Sequence, residues 1–131
     1  MAVTISFSNF PEIEAVVMDL LNGVQETQVG TVTPPNLNTS MPFVRVMRIG
    51  GGDDRFSDTA HVDVDAFQPT QEAAYSLAEA CRQVLLAFPY VTAAGVIDSV
   101  VTDSGPHEIP WGDVNNVRRY TASYTLTTRR S

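Results

Sequence analysis

Between Phe10 and Val24 the apolar residues Phe10, Ile13, Val16, Val17, Leu20, Leu21 and Val24 recur at steps of three and four. That spacing puts them on one face of a helix, predicted over residues 10–22. Asn9 and Glu12 fit a capping box, and Pro11 falls in the first turn, where its missing N–H does no harm. Asn22-Gly23 supplies a left-handed stop. A second three-to-four pattern runs from Gln71 to Phe88, with Ala74, Leu77, Ala78, Cys81, Leu85 and Phe88 inside and Glu72, Ser76, Glu79, Arg82 and Gln83 outside. Thr70 can cap this helix and Pro89 halts it.

Elsewhere the period is two. From Thr59 to Phe67, Ala60, Val62, Val64 and Ala66 alternate with His61, Asp63, Asp65 and Phe67, as in a half-buried strand. From Asn116 to Thr128, Tyr120, Ala122, Tyr124 and Leu126 alternate with Arg119, Thr121, Ser123, Thr125 and Thr127. Further strands are expected at 24–33, at 43–49 and at 95–103. The stretches 34–42, 50–54 and 104–113, marked by Pro, Gly and acids, are expected to be loops. The order is then α-β-β-β-α-β-β. Strands that run together rather than alternating with helices predict an α+β fold. Two helices would pack on one face of a mostly antiparallel sheet. The other face, rich in Thr, Arg and Asp, would meet water or another subunit.

At 131 residues the chain has the size of one domain, and no linker or internal repeat divides it, so residues 1–131 are expected to fold as one. No apolar run is long enough to cross a bilayer, and the N-terminus lacks the basic start of a signal peptide. The expectation is a protein made in the cytosol, with no membrane partner. The net charge is −7 and every basic residue is Arg, which disfavours a grip on nucleic acid through phosphate neutralisation. Cys81 is the single cysteine; its place on the apolar stripe makes it a core residue.

Several groups invite chemistry. His61, Asp63 and Asp65 share one strand face at steps of about 6.5–7 Å, and Asp53, Asp54 and Asp58 could approach a divalent ion there. A strand spreads its side chains, and no fourth ligand is marked, so a solvated or interface face is the simpler reading. Gly50-Gly51-Gly52-Asp53-Asp54 lacks the Gly-Lys-Ser/Thr ending of a phosphate loop, and its acids would repel phosphate. His107 and Glu108 are adjacent, and adjacent residues rarely converge on one substrate atom. No nucleophile with a matching base is signalled. Neither a cofactor, a metal nor catalytic residues are therefore expected. Trp111, between Pro110 and Gly112, is either a plug over the sheet or an interface anchor. Arg118-Arg119 and Arg129-Arg130 flank the last strand; neighbours in a strand point to opposite faces, so they are not one basic patch, and they either pair with acids of a neighbouring subunit or lie on a solvated face.

The run VDVDAFQPTQEAAYSLAEACRQVLLA (62–87) resembles the strand-to-helix segment of the tail terminator proteins of long-tailed phages. There, Phe67, Pro69, Thr70, Ala73 or Ala74, and Leu77 match the start of the family's second helix. FPEIEAVVMDLLNG, PFVRVMRIGGGDDRFSD and VRRYTASYTLTTRR resemble its first helix, its central strand with the following loop, and its last strand. The resemblance implies a structural virion protein, a homo-oligomeric ring, usually hexameric. Such a ring caps the tail tube, ends its polymerisation and offers a surface to the head–tail connector, or head completion protein. DNA would pass through the lumen without specific binding, as an acidic wall allows. The loops 50–58 and 34–42 are then expected to meet neighbouring rings, with Gly51, Gly52, Asp53, Asp54, Arg55, Asn36, Asn38, Trp111, Arg118 and Arg119 as interface candidates. Other readings are a neck or tube protein of the same virion, a small metal-dependent hydrolase built on His61, Asp63 and Asp65, and a ligand-binding module. Bound metal would favour the hydrolase; a deep apolar pocket would favour the binding module.

Overall fold

The computed structural model describes residues 13–53, 57–92, 95–111 and 116–129. The elements are α1 (Ile13–Leu21), β1 (Gln28–Gly30), β2 (Phe43–Asp53), β3 (Ser57–Gln68), α2 (Gln71–Leu86), β4 (Tyr90–Thr92), β5 (Gly95–Glu108) and β6 (Arg118–Arg129). Among the described residues six strands form one sheet in the order β1-β2-β3-β6-β5-β4, and of their pairs only β1–β2 is parallel. The fold is α+β.

Both helices lie on one face. Ile13, Val16, Val17 and Leu21 of α1 and Ala74, Leu77, Ala78, Cys81 and Leu85 of α2 share a core with Val44, Val46, Ala60, Val62, Val64, Ala122, Tyr124 and Leu126. Each large side chain there contributes about 1.5–3 kcal/mol by leaving water. The small residues of α2 let it lie close over β3, β5 and β6. The Thr70 side chain accepts from Ala73 N at 3.2 Å and starts α2 as expected. Cys81 is buried, and desolvation pushes its thiol up to about 12, so it is an inert core residue.

The strand expected at 24–33 shrinks to Gln28–Gly30. After α1 the chain takes left-handed conformations at Gly23 (φ 83°), Gln25 (φ 49°) and Glu26 (φ 60°), which form a turn instead of a strand. The glycine loop expected at 50–54 is also corrected, because β2 runs through the glycines to Asp53. A register shift between Arg48 and Gly50 marks a bulge. Gly51 has φ 114°, and a Cβ there would lie 1.9 Å from the Thr59 carbonyl oxygen. Glycine serves close backbone approach at this position. The loop expected at 104–113 starts later too, since β5 continues to Glu108. Gly105 and Pro106 are tolerated because that end of β5 has no described strand on its outer side. β4 is a further short strand that the pattern does not reveal. The expected cap of α1 at Asn9 and Glu12 lies outside the described residues.

Candidate functional site

The sheet face away from the helices carries two distinct zones. At the end where β2 begins, Leu37, Phe43, Phe67 and Val117 form a second small core, with Met41 and Trp111 packed on it. The Trp111 ring meets Phe67 edge-on at 4.9 Å. Arg45 and Arg119 place their guanidinium carbons 5.5 and 5.2 Å from the Trp111 ring centre. Arg119 also donates to the carbonyls of Ile109 and Pro110. Trp111 thus plugs one end of the sheet beside two cations and stays partly accessible. Asn36 and Asn38 lie beside this cluster, around the short turn Leu37–Thr39. Asn36 is exposed, and its carbonyl accepts from Thr39. Arg118 is exposed at the same end and pairs with Glu108 at 3.0 Å.

Further along the same face lies a ladder of polar pairs. Asp65 is buried, accepting from Arg45 Nη2 at 2.7 Å, Arg45 Nε at 2.9 Å and Thr121 Oγ1 at 2.7 Å. Asp63 accepts from Ser123 Oγ at 2.6 Å. His61 Nδ1 lies 2.9 Å from Thr125 Oγ1, which donates to Asp103. The three residues weighed as metal ligands do share a face, but each is engaged with its own cross-strand partner. Among the described residues no group of three or more His, Cys, Asp or Glu could hold a metal ion. His107 and Glu108 pair opposite Thr121 and Tyr120, so they point to different faces of the sheet and do not converge. Among the described residues no helix is long and apolar enough to cross a membrane.

The expected interface residues therefore fall into two groups, at opposite ends of the sheet. Asn36, Asn38, Trp111, Arg118 and Arg119 gather where β2 begins. Gly51, Gly52 and Asp53 lie where β2 ends, with both glycines exposed. Asp54 and Arg55 lie outside the described residues. The cross-strand partners Phe43↔Phe67 and Asp53↔Asp58 mark the two ends. What the sequence did not reveal is the clamp of Arg45 on Trp111 and the carboxylate of Asp65 beneath it. The Arg45/Asp65 alternation was a visible hint, but only strand register makes them partners.

The chain's residues 9–131 match the sequence profile of the phage tail termination protein family. The chain belongs to that family. It is a structural protein of the phage tail and a component of the virion. A solved chain from the virion of a native gene transfer agent particle has a TM-score of 0.69, covering 89% of this chain and 94% of that one at 13% identity. At that identity the likeness is one of fold. Among curated proteins, comparison finds no match. The tail terminator family is one of structural proteins, which agrees with a face whose acids and hydroxyls serve each other.

Proposed function

We propose that this tail terminator, acting as a single domain, assembles into a homo-oligomeric ring, hexameric in the simplest case, that caps the tail tube and ends its growth. Its second surface then receives the head completion protein. The observation that carries this reading is the separation of the two loop groups by the full length of β2, 11 residues of strand or about 36 Å at 3.3 Å per residue. A terminator must meet two different partners at once, and two unlike ends on one rigid sheet supply that. One end offers an aromatic plug with Arg118, Arg119, Asn36 and Asn38; the other offers the exposed Gly51 and Gly52, followed in sequence by Asp53, Asp54 and Arg55. A net charge of −7 suits a passage through which DNA moves without being held.

The test is the mass of the purified protein in solution, followed by imaging after tail tubes are added. A terminator gives monomers or discrete rings alone and a single ring at one end of each tube. Filaments formed by the protein alone would identify a tube protein instead and end this reading.

A further inference from the structure

We infer that neighbouring copies join by completing each other's sheet, with the outer side of β2 in one copy pairing antiparallel to the outer side of β5 in the next. This rests on the ring reading above and says what makes the ring.

Both flanks of the sheet are only partly covered. β2 has 11 residues, and β1 pairs with Phe43, Val44 and Arg45 alone. β5 has 14 residues, and β4 pairs with Gly95, Val96 and Ile97 alone. Among the described residues no strand covers β2 beyond Arg45 or β5 beyond Ile97. An uncovered strand side is a row of N–H and C=O groups that another strand can satisfy.

The two uncovered stretches stand at the same height. Asp53, Asp58, Thr128 and Ile97 form one row across the sheet, and Val44, Ala66, Tyr120 and Glu108 form another. Between these rows β2 and β5 run in opposite directions. A second copy placed alongside, without shift along the strands, therefore brings the part of β5 that β4 does not cover against the part of β2 that β1 does not cover, in antiparallel register. β1 bounds the joint at one end and β4 at the other. A joint of unlike sides with no axial shift closes into a ring by rotation and does not climb into a filament.

Side chains favour this occupant. Gly50, His61, Thr125 and Val101 share a row, and the bulge residue Ile49 directly precedes Gly50, so Ile49 of one copy comes beside Val101 of the next. These side chains are 55% and 56% exposed, large apolar groups that a lone chain leaves in water. Arg48 takes no part in the joint, because its guanidinium already holds both oxygens of Asp58 at 3.0 Å within its own chain. A two-fold pairing of β5 with β5, in the register that sets Asp98 opposite Asp103, would instead bring like charges together. Two contacts within the chain keep the joint modest. The Glu14 carboxylate accepts the Arg48 N–H at 3.0 Å, so pairing on that flank starts at Ile49. Arg48 Nε donates to the Gly50 carbonyl at 3.1 Å and occupies one of its lone pairs.

The experiment uses the full chain with Ile49→Lys, with Val101→Lys, and unchanged, each alone and with tail tubes. Both substitutions are at exposed side chains, and a circular dichroism melt confirms that each variant folds. The unchanged protein should assemble, with amide exchange from Ser99 to Thr102 slowing at least about tenfold on assembly. Each variant alone should remain monomeric. Mixed, they should form one-to-one pairs and nothing larger, because each retains one good side. If either variant assembles as the unchanged protein does, or exchange at Ser99 to Thr102 stays as in the monomer, the edge joint is wrong and the ring reading is untouched. If the unchanged protein neither assembles nor caps tubes, the ring reading falls and takes the joint with it.

Discussion

Tyr124 shows how a single residue can carry an unmet requirement in this core. It is fully buried, and its hydroxyl has no hydrogen-bond partner among the described residues. A buried hydroxyl without a partner keeps its desolvation penalty. Tyr124→Phe should therefore leave stability unchanged or raise it by about 1 kcal/mol, read as a higher midpoint in urea. A clear loss would mean the hydroxyl has a partner after all. Burial also pushes the Tyr124 hydroxyl and the Cys81 thiol upward. For both groups the folded state keeps a proton that the unfolded chain gives up. Stability from these sites is thus complete below the ordinary thiol value of 9.0 and falls as pH rises from there towards about 12. The melting temperature should drop over that window, and Cys81→Ala should flatten the drop. An unchanged slope in Cys81→Ala would remove the thiol from this account. The glycines of β2 give a paired test of backbone strain. Gly51→Ala collides with the Thr59 carbonyl at a positive φ and should cost about 1–3 kcal/mol. Gly52→Ala meets nothing within 4 Å and should stay within about 0.5 kcal/mol of neutral.

Among the elements, the paired strands β2, β3 and β6 depend on ion pairs as well as on apolar faces. Asp65 is nearly closed off from water and holds both Arg45 and Thr121. Asp65→Ala leaves Arg45 facing that pocket uncompensated and should destabilise by about 2–4 kcal/mol. Replacing both, Arg45→Met with Asp65→Val, should recover most of the loss, since a well-packed apolar pair of similar volume is often neutral. A double variant no better than the single would show that the Arg45 contact with Trp111 matters more than the ion pair. Both helices and the strands β3 and β6 were legible because the 3.6 and 2.0 periods in residues 13–21, 57–68, 71–86 and 118–129 reflect burial on one side. β1 and β4 were not, because three residues carry no period and their pairing is set by distant partners. The glycine run misled for a different reason. Gly50 to Gly52 lack side chains to alternate, so a strand there shows no pattern, and the bulge at Ile49 resets the phase. Trp111 could be placed only once register joined Arg45, Phe67 and Arg119, residues far apart in the chain.

For the whole molecule, the decisive feature is that one stiff sheet separates two chemically different ends. Antiparallel strands of 11 to 14 residues run between them, so a change at one end has no short path to the other. If each end serves one partner, damage should be separable. Deleting Gly51 to Asp54 shortens the tip where β2 turns towards β3. Asn36→Ala combined with Arg118→Ala alters only exposed groups at the opposite end, removing the Glu108 ion pair, a surface contact worth about 1 kcal/mol or less. Complementing a phage that lacks this protein with each variant, and imaging the particles, gives the readout. One variant should leave tails of irregular length, because tubes are no longer capped. The other should leave finished tails without heads, because capping succeeds and joining fails. The two-ended arrangement leaves open which end does which, but it requires that the phenotypes differ. Two variants with the same defect, or a tip deletion that leaves tail length and head joining unchanged, would mean that partner contacts lie along the sides of the sheet and not at its ends.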